Sequence, residues 1–270
     1  MSERPSEAVI AVDVGNSAVK IAVDPDHVRA FEHKDPEWCD DAIDWVRACR
    51  KNAELEWWIS SVNDAATRPL IDALERSGDR VEVVSTDRIP IEIDVDFPDR
   101  VGKDRLLCAL AAATRCRLPV VVVDAGSAVT VDWVDRGDSG RPVFAGGAIL
   151  PGLRLQLSAL VAGTEAIELQ KESVSERREN PFAPGRNTQQ AIRLGAGAAV
   201  IGGIDRLITE YSHHFGFSSD DRGAPSVLIS GGNAAIVSEH LESAHTVVPN
   251  LVCLGLMEIA EHFAQPHSEG

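Results

Sequence analysis

Two short stretches of the chain carry residues able to handle a phosphate. Val120 to Asp135 reads VVVVDAGSAVTVDWVD, and Val9 to Asp24 reads VIAVDVGNSAVKIAVD. In each, an apolar and largely β-branched run ends in an aspartate, then passes through a tight glycine-containing turn into a second apolar segment. The four valines from Val120 predict a strand buried on both faces. Glycine in the turn lets backbone N–H groups approach a ligand, and an aspartate at the strand end can hold a cation or its waters. Aligned on Asp13 and Asp124, with one residue dropped from the second turn, DVGNSAV and DAGSAV superimpose. The pair predicts two related half-domains, each offering a strand–turn–strand to the same polyphosphate. A single Asp-Gly turn is an ordinary hairpin. The repeat is what points to phosphate, since a polyphosphate needs both backbone donors and a metal.

Two further constellations could add chemistry. In Val101-Gly102-Lys103-Asp104-Arg105 a carboxylate stands beside a guanidinium at a predicted helix start. Such a carboxylate can act as base toward a hydroxyl while the arginine grips a substrate carboxylate. The same residues would equally make a surface ion pair at a helix cap. Ser230-Gly231-Gly232 ends a predicted strand and leads into a helix, where glycines permit flat contact with a base or phosphate. Gly-Gly before a helix is also common packing. Neither of two familiar nucleotide motifs occurs: Gly102-Lys103 is followed by Asp104 rather than Ser or Thr, and Gly195-Xaa-Gly197 has Val200 in its final slot. His213-His214 reads as the polar end of a long helix, Trp57-Trp58 as core, and no His/Cys cluster has zinc-site spacing.

The elements that must position these residues alternate. Asp35-Pro36 reads as an N-cap and a first-turn proline, and Trp38, Ala42, Trp45, Val46 and Cys49 then recur at helical spacing. Trp57 to Val62 predicts a strand, Thr67 to Ser77 a helix closed by Gly78, and Val81 to Ser85 a strand. Gly102 to Arg105 opens a helix through Cys116. Beyond Leu118-Pro119, where the domain boundary is expected, strands are predicted at 121–124, 129–134 and 143–148, and a helix at 153–161. The charged stretch Glu168 to Gly185 reads as a surface loop. A long helix then runs from Asn187 to about Tyr211, its Gly195–Ala199 and Gly202-Gly203 segments suggesting close approach to a neighbour. The polar patch Ser218 to Ala224, a strand at 226–230, and helices at 233–241 and 251–263 complete an α/β pattern.

Composition sets outer limits. With 270 residues, 44% hydrophobic and 25% charged, the chain has the make-up of an ordinary globular protein. A formal charge of −16 argues against nucleic acid and against anionic membranes as partners, which both require a basic face. It does not exclude an anionic substrate in a locally positive pocket. Five cysteines without a CxxC fit a reducing cytoplasm better than a disulfide scaffold, and Cys108 and Cys116 read as core thiols. MSERPSEAVIAVDVG lacks signal-peptide architecture, and no apolar run reaches the roughly 18 residues of a membrane span.

In order and spacing, DVGNS, GKDR, DAGSAVTVD, GGAILPGL, NTQQAIRLGA and SGG resemble the type III pantothenate kinases, over essentially Val9 to Leu256. The resemblance implies the duplicated ribonuclease-H-like fold of the acetate kinase/sugar kinase/Hsp70/actin superfamily. It implies transfer of the γ-phosphoryl of ATP to pantothenate, the first step of coenzyme A synthesis. Asp13, Gly15, Asn16 and Ser17 would form the first phosphate loop, with Asp13 organising Mg²⁺ through water. Asp124, Gly126 and Ser127 would form the second, with Asp124 the ligand of a monovalent cation, potassium or ammonium. Asp104 would be the general base, Arg105 would bind the pantothenate carboxylate, Gly102 would line the pocket, and Gly231 and Gly232 would lie near adenosine. Thr188 would reach pantothenate across a homodimer interface.

The sequence also departs from that family. Ser17 and Ser127 stand where threonine is usual, keeping the hydroxyl, and Lys103 replaces a small residue, bringing an extra cation beside Asp104. The last motif has Cys253-Leu254 in place of Leu-Glu. A non-catalytic regulator with this fold could dispense with Asp104, Arg105 or an Asp-Xaa-Gly turn, and all are intact. A sugar kinase is the other rival, and the Arg105 and Thr188 pocket favours an acid acceptor instead.

Overall fold

In the computed structural model, which describes residues 7–51, 53–164, 183–217 and 224–264, β1 (Glu7–Val14) runs through the middle of a five-stranded sheet. β1 pairs antiparallel with β2 (Val19–Asp24), and β2 antiparallel with β3 (His27–Phe31). On its other side β1 pairs parallel with β4 (Glu54–Ser61), and β4 parallel with β5 (Arg80–Val83). Helices α1 (Trp38–Cys49) and α2 (Asp64–Arg76) carry the chain into β4 and β5, since a parallel neighbour needs a crossover rather than a tight turn. Ile10, Val12, Ile21, Trp57, Ile59, Leu70 and Leu74 are fully buried in this core. Each such aliphatic side chain contributes about 1.5–3 kcal/mol.

The helix starts differ from expectation by a few residues. α2 begins at Asp64 because the Asn63 side chain accepts the Ala66 N–H at 3.2 Å. It closes at Gly78, whose φ of +78° lets Gly78 N–H bond Glu75 O while Asp79 N–H bonds Leu74 O. α1 begins at Trp38 rather than Pro36; the Asp35 carboxylate instead accepts the Glu37 N–H at 3.1 Å, one turn residue ahead of the helix.

The second sheet is built around β7 (Val120–Ala125). β7 is followed by β8 (Ala128–Arg136) and β9 (Pro142–Pro151), while β10 (Ser226–Ser230) pairs parallel with β7, and β11 (Thr246–Val247) parallel with β10. The two-residue connection between β7 and β8 can join only antiparallel neighbours. The order β9-β8-β7-β10-β11 therefore repeats β3-β2-β1-β4-β5, with β6 (Glu92–Ile93) added beside β9. The repeat read from two Asp-Gly turns is thus a repeat of whole sheets. The chain is α/β, with duplicated ribonuclease-H-like halves of mixed sheets flanked by helices. β6 and β11 are too short to leave a periodic signal, and neither was foreseen.

Two compact units divide the described residues. One takes everything up to Leu118, together with Val134–Ala145 and the residues from Asn250 onward; the other takes Pro119–Trp133 and Gly146–Pro249. α3 (Lys103–Arg115) and α7 (Leu251–Ala264) belong to the first, where α7 packs on α3 and on β1. α4 (Leu153–Ala162), α5 (Thr188–His214) and α6 (Ala234–His240) belong to the second. Among the glycines of α5, the expected close approach is met at Gly203, where a Cβ would stand 2.9 Å from Leu150 Cδ2, and Ala196 is buried. Around Gly195, Gly197 and Gly202 there is open space among the described residues. Gly195 and Ala196 border an open, apolar groove of about 430 Å³ that is also lined by Gln156, Leu160, Ala191 and Ile192.

Trp57 and Trp58 are core, as expected, and His213-His214 end α5. Cys108 is buried, but Cys116 follows the last turn of α3 and is only half-buried. Most of the expected loop Glu168 to Gly185 and patch Ser218 to Ala224 lies outside the described residues. Among those described, no helix is long and apolar enough to cross a membrane.

Candidate active site

Both Asp-Gly turns are closed by one and the same bond. Gly15 N–H donates to Ala18 O at 3.1 Å, and Gly126 N–H donates to Ala128 O at 3.0 Å. A Cβ on Gly15 or Gly126 would stand 3.3 or 3.2 Å from that acceptor, so glycine keeps each turn tight. Asn16, Ser17 and Ser127 are exposed at the tips, while Asp13 and Asp124 are half-buried at the strand ends.

Register supplies each aspartate with neighbours that the sequence reading missed. Asp13 stands opposite Lys20 across β1–β2 and opposite Ser60 across β1–β4. Asp124 stands opposite Ser230 across β7–β10. In-register residues on paired strands share a face, so each aspartate has a serine beside it. Ser60 and Ser230 are 1% and 2% exposed. A sequence signal did exist: Ile59-Ser60-Ser61-Val62-Asn63 and Ile229-Ser230-Gly231-Gly232-Asn233 share Ile-Ser and, three residues on, an asparagine at the N-cap position of the next helix.

Glycine is required at residue 231. Its φ is +94°, and a Cβ there would lie 2.5 Å from Asp124 Oδ1 and 2.6 Å from Ala125 O. Asn233 N–H donates to Ala125 O at 2.9 Å, and Asn233 Nδ2 to Gly126 O at 3.3 Å. Gly152, which precedes α4, donates its N–H to Ser127 O at 3.1 Å. The second unit thus gathers Asp124, Gly126, Ser127 and Gly231 into one cluster, with Gly232 exposed beside it.

In the first unit, Gly102 is the N-cap of α3, and Asp104 Oδ1 accepts the Arg105 N–H at 3.0 Å. A Cβ at residue 102 would overlap that carboxylate oxygen, so only glycine leaves Asp104 its place over the helix start. Arg105 lies with Cζ 5.2 Å from the ring centre of Phe144, a buried residue that nothing in the sequence singled out. A guanidinium over an aromatic face is held there by the ring quadrupole. Lys103 is half-buried and makes no ion pair among the described residues. His33 Nε2 lies 2.9 Å from Asn16 O.

Within the first unit, α7 touches both β2 and α3. Cys253 is fully buried with Sγ 3.9 Å from Lys20 O; burial first, and then the negative charge of Asp13, push its thiol far above the ordinary range. Two residues on, Gly255 lies against Leu107 of α3. Thr188 is the exposed first residue of α5, behind a reciprocal cap in which Asn187 Oδ1 accepts Gln190 N–H at 2.9 Å and Gln190 Oε1 accepts Arg186 N–H at 3.0 Å.

Comparison with known proteins agrees with the motifs. A family model described as type III pantothenate kinase matches residues 9–210, a span that includes both turns, GKDR and Thr188. The type III pantothenate kinase of Rhodopirellula baltica is 35% identical, over 94% of this chain and 98% of its own. That of Chromohalobacter salexigens is 30% identical, over 92% and 85%, and that of Methylibium petroleiphilum 30% identical, over 93% and 98%.

Proposed function

We propose, from the premise that the chain belongs to the type III pantothenate kinase family, a division of labour among its residues. The reaction follows from the family: the γ-phosphoryl of ATP passes to the hydroxyl of pantothenate, giving 4'-phosphopantothenate for coenzyme A biosynthesis. The observation that carries the assignment of residues is the repeated turn, with the same closing bond and an aspartate–serine pair in each half. Gly15, Asn16 and Ser17 in one turn, and Gly126 and Ser127 in the other, present backbone N–H and hydroxyl donors to the phosphates of ATP. Gly231 and Gly232 lie near adenosine.

Arg105, steadied on Phe144, binds the pantothenate carboxylate, and Gly102 lines that pocket. The pantothenate hydroxyl oxygen attacks the γ-phosphorus, the bond to the ADP oxygen breaks, and the hydroxyl proton passes to the Asp104 carboxylate. Asp13 would hold Mg²⁺ through water. Asp124 would take the monovalent cation, potassium or ammonium, and the donor chemistry fits: its oxygens are hard ligands, and the missing Cβ at residue 231 keeps Oδ1 uncrowded. Bound cations neutralise charge on the phosphates.

The chain acts as a homodimer in this reading, with Thr188 of one copy reaching pantothenate bound by the other. The open apolar groove along α4 and α5, lined by the 40% exposed Leu160, is where a second copy would seat. A cytoplasmic location completes the proposal, supported by five free thiols. The test is ADP release from ATP, Mg²⁺ and potassium with and without pantothenate. Dependence on pantothenate supports the reading, and ADP release indifferent to it overturns the acceptor.

A further inference from the structure

The peptide bond that precedes the loop serine is held from outside in both units. In the first, His33 Nε2 faces Asn16 O at 2.9 Å, and a ring nitrogen facing a carbonyl must carry the proton and donate. In the second, Asn233 Nδ2 donates to Gly126 O at 3.3 Å. With the turns aligned, Ser17 matches Ser127, so Asn16 O and Gly126 O belong to the same peptide of the repeat. His33 comes from the segment after β3 and Asn233 from the N-cap of α6. Two unrelated side chains therefore make one equivalent contact.

A trans peptide is planar, with C=O and N–H on opposite sides. Holding the oxygen from one side turns the following N–H, that of Ser17 or Ser127, to the other. Glycine-containing turns have several accessible backbone conformations, and a peptide turned the other way would present a carbonyl oxygen where the anion needs a donor. We infer that His33 and Asn233 are positioning residues that fix the Ser17 and Ser127 N–H groups toward the phosphates of ATP. This rests on the reading above, in which both turns bind those phosphates.

The experiment is calorimetric titration of Mg·ATP into the full chain, with steady-state kinetics alongside, for wild type, His33→Ala, His33→Phe and His33→Gln. Loss of one such hydrogen bond should weaken ATP binding about three- to tenfold in His33→Ala and His33→Phe. The Michaelis constant for pantothenate should stay unchanged, and His33→Gln, which keeps an N–H donor, should recover ATP binding. The phenylalanine variant keeps a ring in place should the alanine variant fail to fold. Wild-type ATP affinity in His33→Phe overturns the inference, as does equal damage to pantothenate binding or no recovery in His33→Gln. A wild-type chain that binds no ATP overturns the phosphate reading itself, an outcome distinct from wild-type binding that the variants leave untouched.

Discussion

Gly255 of α7 lies so close to Leu107 of α3 that a Cβ on it would overlap the Leu107 carbonyl oxygen and stand 2.9 Å from the carbonyl carbon. The obstructing atoms are backbone and cannot rotate aside, so the two helices approach this closely only with glycine at 255. α3 begins with the Asp104-Arg105 pair, while α7 also seats Cys253 beside Lys20, the partner of Asp13 in register. Gly255 thereby sets the spacing of Asp104 from β1.

Replacing Gly255 by alanine should therefore cost both stability and turnover. Overpacking of this kind costs about 1–3 kcal/mol, and the forced shift of α3 should lower kcat more than it raises KM for ATP. Thermal unfolding together with steady-state kinetics checks this; a variant with wild-type melting and wild-type kcat contradicts the spacing argument.

Asp104→Asn removes the proposed base and keeps the shape. Turnover should fall by about 10²–10⁴-fold, the usual worth of a positioned proton acceptor, while ATP still binds. Turnover equal to wild type removes Asp104 from the role of base.

At Gly231 a methyl would meet Asp124 Oδ1 in a backbone conformation, φ +94°, that L side chains rarely adopt. Gly231→Ala should lose most activity together with its response to potassium. In the wild type, replacing potassium by sodium should depress the rate. Equal rates with and without potassium take the cation out of the mechanism.

Cys253 should be inert in the folded chain. Burial and the neighbouring Asp13 charge raise its thiol well above the ordinary value, so the reactive thiolate is scarce at pH 8. Native-state alkylation read by mass spectrometry should label the exposed Cys49 and spare Cys253 until the chain is unfolded. Labelling of Cys253 at the rate of Cys49 contradicts its place in the core.

What the sequence disclosed was local. The valine run at Val120 and the Asp-Gly turns state their strands and loops within a few residues, because buried strands need β-branched residues and tight turns need glycine. The GKDR helix start was legible for the same reason. Lys20 beside Asp13 needed strand register, which follows from the hairpin length once the turn is known. Ser60, and the pairing of Ser230 with Asp124, were hidden because the two glycines of the second copy disguise its likeness to Ser61-Val62. Phe144 under Arg105, His33 on Asn16 and Gly255 on Leu107 join residues far apart in the chain, and no periodicity records a tertiary contact. The glycines of α5 misled in the opposite sense: small residues read as close packing, yet among the described residues three of them face open space, and Gly195 lines a groove.

Transfer of the phosphoryl group to pantothenate can be followed directly. The chain is incubated with ATP labelled in the γ-phosphoryl group, Mg²⁺, potassium and pantothenate, and the label is followed by mass spectrometry. Labelled 4'-phosphopantothenate should form in amounts matching the ADP, and none without pantothenate. Label released only as inorganic phosphate, or left on ATP that the chain has bound, rules out transfer to pantothenate.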